Sequence, residues 1–281
     1  MFDPFLVLVA LQVALLGACA GSFLNVCIYR IPRDESVVTP RSHCPSCGRM
    51  IPWYLNVPVL SWLMLAGRCR FCRARISPRY LLVELLTAVL FLVALFQHEA
   101  FPRLLHMQQF ADWRLVPVYI LFVSGLILGT FVDLEHMIIP DSVSLGGIVA
   151  GVALSPLVPS MHGADVWHVG LLRGATGAAF GFGLLWLVAV VGEKAFRKEA
   201  MGFGDVKLMG AIGAFLGWQA VLFTMVGASL VGSVVGLTLI ALRRTQLQSR
   251  IPFGPYLALA AMAWIYWGPL LWDAYFGIMR L

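Results

Sequence analysis

Long apolar runs alternate along the chain with short breaks of charge, proline or glycine. Eight of these runs approach the roughly 17–25 residues that a helix needs to cross a bilayer core. They lie near 5–28, 80–97, 115–133, 142–158, 170–191, 206–218, 219–242 and 254–272. The pattern predicts an all-α polytopic membrane protein with about eight transmembrane helices. The sixth run is short and glycine-rich, and its division from the seventh falls near Gly217. Between the first two runs lies the one sizeable polar segment, Arg30 to Arg79, which is too small to fold as an ordinary globular domain without a staple. No internal repeat or low-complexity tract stands out.

Composition agrees with the pattern. The 281 residues are 60% hydrophobic and 12% charged, whereas soluble domains run about 45–50% apolar and about 25% charged. The net charge of +6 is explained by topology. With the N-terminus outside, the loops expected in the cytoplasm hold sixteen of the twenty basic residues, leaving only Arg103, Arg114, Arg173 and Arg280 elsewhere. The basic balance thus reports orientation, and no nucleic-acid partner is expected. The first run has no basic region before it and is followed by Arg30 and Arg33, the flanks of a retained helix rather than a signal peptide.

The polar segment carries Cys44 and Cys47 in one C-x-x-C pair and Cys69 and Cys72 in another. Two such pairs at this spacing supply four thiolates for tetrahedral zinc. Gly48 provides the turn that aims the first two sulfurs at one ion. Four protein ligands leave no position for water, so the expected zinc is structural. Disulfides are unexpected on the reducing side of a membrane. His43 reads as a bystander, and Cys19 and Cys27 as packing residues of the first helix.

The remaining chemistry lies in acids near the membrane surface. Asp133 closes the third run, and Asp205 opens the sixth on the same face in "GFGDVKLMG". Two neighbouring carboxylates cannot both ionise easily and so share one proton. The ionised member can then activate water while the other polarises a peptide carbonyl. Gly202 and Gly204 allow a substrate backbone to approach. An acid at a helix start is more often a cap or a dipole partner, and Asp141 after Pro140 fits that role. Asp133 fits it poorly, since a helix C-terminus disfavours negative charge. Glu135 and His136 are expected to face the solvated loop, and Lys207 to mark the inner face. Glu84, early in the second run, reads either as a packing acid paired with a nearby Arg or as part of a second polar site. Asn25 either lines a substrate route or joins two helices.

Taken together, "GSFLNVCIYRIPRDES", the cysteine segment through "SPRYLLVE", "DLEHMIIPD", "GFGDVKLMGAIGAFLGW" and "IPFGPYL" resemble the type IV prepilin peptidases of bacteria, over nearly the whole chain. The resemblance implies a multi-pass enzyme of the bacterial inner membrane, with its N-terminus in the periplasm and its active site facing the cytoplasm. It implies catalytic aspartates at Asp133 and Asp205. It implies prepilin and pseudopilin substrates, cleaved after a glycine that ends a basic leader, and methylation of the new N-terminal residue from S-adenosylmethionine. Glu84 matches the acid that ends the "SPRY…E" block and is the candidate for the methyl-donor site. The chain shows no soluble methyltransferase domain and no glycine-rich cofactor fingerprint.

The expected division is therefore 1–29 as the first transmembrane helix, 30–79 as the cytoplasmic four-cysteine zinc-binding loop, and 80–281 as the transmembrane aspartic peptidase core. A proton-coupled transporter using the same acids is the alternative, and a zinc-stapled scaffold without chemistry is a third reading. A transporter would place polar groups along several spans toward the midplane. Here the spans are mostly apolar and the acids gather near one face.

Overall fold

The computed structural model describes residues 4–96, 112–197, 201–242 and 251–278. These form helices, with no strand among the described residues beyond two isolated bridges. The chain divides into two compact units, Met1–Glu99 and Ala100–Leu281.

In the first unit, α1 (Pro4–Arg30) packs against α3 (Pro78–Phe96). Small residues permit the contact, as membrane helices require: a Cβ on Gly21 would stand 2.7 Å from the Glu84 Cα. Asn25 donates to the Tyr80 carbonyl at 3.0 Å, which supports the helix-joining reading of that residue. Buried Arg30 ends α1 and turns back on the following loop, donating to the carbonyls of Ser36 and Pro40 at 2.8 and 2.7 Å. A five-residue helix, α2 (Leu60–Met64), lies inside the loop. Helix α3 then starts at Ser77–Pro78, where the Ser77 hydroxyl accepts the Arg79 N–H at 3.3 Å and proline takes a position needing no donor.

The second unit contains α4 (Leu115–His136), α5 (Asp141–Leu154), α6 (Trp167–Phe196), α7 (Phe203–Ala241) and α8 (Gly254–Ile278). Helices α6 and α7 are in intimate contact, because Gly177 and Gly213 face each other so closely that a Cβ on either would strike the other's carbonyl. The expected sixth and seventh spans are the two helical segments of α7, which meet in a kink at Gly217. Its φ of 81° and ψ of 175° are open to glycine and costly for other residues, so the chain changes course there. The eight expected segments therefore arise as α1, α3, α4, α5, α6, the two segments of α7, and α8. Among the described residues, five helices (α1, α3, α4, α6 and the whole of α7) are long and apolar enough to cross a membrane, while the 14-residue α5 is shorter.

At the start of α4, Asp112 pairs with Arg114 at 2.8 Å and accepts the Ser160 hydroxyl at 2.8 Å. Arg114 holds the Asp112 carboxyl down to about 2. Nearby, the His162 Nε2 lies 2.9 Å from the Ser155 hydroxyl. Burial, reinforced by the Arg173 charge, pushes His162 down to about 4. This cluster lies at the end of the unit opposite Asp133, which occupies the last turn of α4.

Candidate functional site

In the first unit, two short hairpin-like knuckles repeat the same geometry. Cys44 N–H donates to the Arg49 carbonyl at 3.0 Å, and Cys69 N–H donates to that of Ala74 at 2.8 Å. Gly48 N–H and Arg73 N–H return to the carbonyls of Cys44 and Cys69 at 2.8 and 3.0 Å. Isolated bridges join His43 to Met50 and Arg68 to Arg75 at matching positions. The turn residue has positive φ in both, 68° at Gly48 and 60° at Arg73, so the second knuckle makes the glycine turn with an arginine.

The knuckles bring the sulfurs of Cys44, Cys47, Cys69 and Cys72 within 4.8 Å of one another. Cys44 and Cys72 sulfurs stand 3.8 Å apart, which matches the edge of about 3.8 Å in a tetrahedron with metal–sulfur bonds of about 2.3 Å. The N–H groups of Cys72 and Phe71 hold Cys69 down to about 7. At Cys72 the Ala74 N–H acts in the same sense, but burial and the neighbouring sulfurs push that thiol up to about 11. Four crowded sulfurs of this kind ionise together only around a cation, so the donor set fits a thiolate-bound metal. His43 is exposed and lies outside the cluster, with its ring near the Arg41 carbonyl.

Glu84 is buried in α3, and its Oε2 accepts the Val59 N–H at 2.7 Å. Ser22 on α1 bonds the same carboxyl. In place of the arginine that one of its two readings gave it, Glu84 takes a backbone donor of the cysteine loop. Glu84 thus ties the entry of α2 to the α1–α3 pair, and a methyl donor would have to share the carboxyl with these two groups.

In the second unit, Asp133 and Asp205 are buried on separate helices, at 5% and 9% exposure. They are the charged members of the buried set described for this unit. Asp205 sits in the first turn of α7 and interacts electrostatically with Asp133. Its Oδ1 is buried without a hydrogen-bond partner. The Asp133 Oδ2 accepts the Gly254 N–H at 2.9 Å. That donor opens α8, so the positive end of a third helix faces the carboxyl. A Cβ on Gly254 would lie 2.8 Å from the same oxygen, leaving glycine as the residue that fits. The loop between α4 and α5 closes the arrangement: Met137 N–H caps the Asp133 carbonyl at 2.9 Å, and Ile139 packs against Gly204 and Gly254.

Asp141 occupies the first turn of α5, as the helix-dipole role expects; it makes no side-chain cap bond and pairs with Lys207 at 2.6 Å. Lys207 is therefore a cross-helix tie between α5 and the start of α7. Glu135 is exposed as expected, while His136 is half-buried and its Nε2 has no hydrogen-bond partner. Gly254 is the site residue that the sequence reading missed. The "IPFGPYL" block marked its neighbourhood, but nothing local to the motif names Asp133 as the acceptor.

Apolar spanning helices and a buried carboxylate pair at one end of a helical unit define a membrane protein equipped for acid–base chemistry. Residues 15–98 match the bacterial peptidase A24 N-terminal domain, and residues 120–237 match the type IV leader peptidase family. A prepilin leader peptidase/N-methyltransferase of Myxococcus xanthus is 44% identical over 83% of this chain and 64% of its own length. Proteins with the same description from Aeromonas salmonicida and Pseudomonas aeruginosa are 37% and 32% identical. Those alignments cover 91% and 93% of this chain and 90% and 91% of the relatives. No solved structure matches the chain significantly. The chain belongs to the type IV leader peptidase family.

Proposed function

We propose that this protein cleaves the basic leader from type IV prepilins and pseudopilins at the cytoplasmic face of the bacterial inner membrane, and then methylates the new N-terminal residue. The observation that carries the peptidase reading is the buried, electrostatically coupled pair Asp133 and Asp205. The pair holds one proton between them. The ionised carboxylate removes a proton from water as the water adds to the scissile carbonyl, and the protonated one donates to the carbonyl oxygen. The tetrahedral intermediate then loses its C–N bond, and the departing amine takes up the transferred proton. Gly254 N–H fixes the Asp133 carboxyl for these transfers. With both acids near one end of α4 and α7, the scissile bond is served at the membrane boundary, where a pilin helix leaves the bilayer.

Cys44, Cys47, Cys69 and Cys72 would hold zinc, which would serve to fold their loop. S-adenosylmethionine supplies the methyl group of the second reaction. Glu84 serves that half by holding the loop to α3 through Val59.

The test uses purified protein and a prepilin substrate. Asp133→Asn and Asp205→Asn should each lower cleavage by at least about 10²–10⁴-fold, the range expected for losing an acid–base group. Cleavage retained by either variant would overturn the assignment.

A further inference from the structure

Between Arg49 and Arg68 the loop contains no charged side chain. A loop standing in water would turn such a stretch inward, but here much of it faces out. On α2, Leu60, Leu63 and Met64 form one row at helical spacing and are 58%, 55% and 84% exposed. Trp53 and Tyr54, just before it, are 82% and 59% exposed. The other side of α2 is occupied, with the Trp62 ring lying where a Cβ on Gly67 would be. The apolar row is thus the outer face of a folded unit.

The placement of this face follows from Glu84. At 1.5 Å per residue, the 19 residues of α3 are about 28 Å long, close to the roughly 30 Å of a bilayer core. Glu84 is about 9 Å along that helix from Pro78, and it holds the N–H of Val59, the residue immediately before α2. The apolar face is therefore tied to the first turns of a membrane-spanning helix, at the level where hydrocarbon gives way to headgroups. Tryptophan and tyrosine favour that level. Around the stretch, Arg49, Arg68, Arg70, Arg73 and Arg75 are exposed, against Asp34 and Glu35 as the acids of the whole 30–79 segment. That charge suits anionic headgroups.

We infer that the Trp53–Met64 face of the cysteine loop docks into the headgroup layer of the membrane that α1 and α3 cross, with anionic lipid as its partner. The loop then rests on the bilayer as an interfacial element, with its metal knuckles held at a set height by Glu84 below and by lipid beneath α2.

Photocrosslinking of the full-length protein tests this, with p-benzoyl-phenylalanine in place of Met64. The protein is reconstituted in vesicles of phosphatidylethanolamine with phosphatidylglycerol, and separately in phosphatidylcholine alone. Retained metal content shows that the loop is folded, and the same probe at Leu63 repeats the test if the first substitution loses metal. Lipid adducts on the peptide containing the probe, several-fold more abundant in the anionic vesicles, are expected. Adducts to another segment of the protein, or no adduct at either position, would overturn the docking. Equal yields in the two vesicles would overturn the anionic preference.

Discussion

The metal knuckles and the carboxylate pair are built in opposite ways. Each knuckle closes within a few residues, with the Cys44 and Cys69 N–H groups returning to Arg49 and Ala74. The four sulfurs come together from two copies of one local turn. The acid site draws Asp133, Asp205 and Gly254 from three helices and from widely separated parts of the chain. A local motif carries its geometry with it, whereas a dispersed site depends on the packing of everything between its members. The first should therefore fail when its ligands change, and the second when its scaffold shifts by a fraction of an ångström.

The largest effect is expected from Cys44→Ser. Removing one thiolate should reduce bound metal, measured by mass spectrometry, to background. The loop should become protease-sensitive, since structural zinc supplies much of the folding energy of such small sites. Cleavage of prepilin should fall less than in Asp133→Asn, because the acid pair and Gly254 all belong to the second unit. An equal fall would erase the contrast between the two sites.

Gly254→Ala probes the dispersed site. Its Cβ would stand 2.8 Å from the Asp133 Oδ2, so the carboxyl must move. A displacement approaching 1 Å costs catalysis about 10²-fold. The expected result is that loss in kcat, with bound metal unchanged.

The far end of the second unit offers a pH test. His162 is half-buried and held down to about 4 from an ordinary value of 6.5. Because its folded value is depressed, its contribution is fully present above about pH 6.5 and is lost progressively as pH falls toward 4. The difference is on the order of 3 kcal/mol. Thermal unfolding in detergent should show this acid loss, and His162→Gln should flatten it. An unchanged profile in the variant would show that the long-range contacts of this unit do not depend on the neutral imidazole.

The smallest effect concerns the knuckles. Arg73 holds a φ of 60° where the partner knuckle has Gly48. Arg73→Gly should relieve roughly 1 kcal/mol of backbone strain. A modest rise in resistance to chelator, with cleavage unaltered, is the outcome expected from a purely local turn.

Much of the molecule is legible in the residues because its physics is local. Apolar run length predicts helices, and the C-x-x-C spacing predicts the metal cluster. Gly217 marks a boundary because its φ of 81° suits glycine. There two helical segments meet in a kink. Asp133 and Asp205 are legible as candidates, for their positions at helix ends imply a shared face.

Only the tertiary structure decided which groups those acids meet. The Gly254 N–H reaches Asp133, Lys207 reaches Asp141, and Val59 reaches Glu84. Each partner comes from a different element, and each contact depends on how helices are rotated and how closely they approach. Those quantities follow from the interlocking of many small and large side chains at once, a sum that no single motif contains. The sequence by itself determined the elements, the four clustered cysteines and the two candidate acids. Packing supplied the donors that orient them.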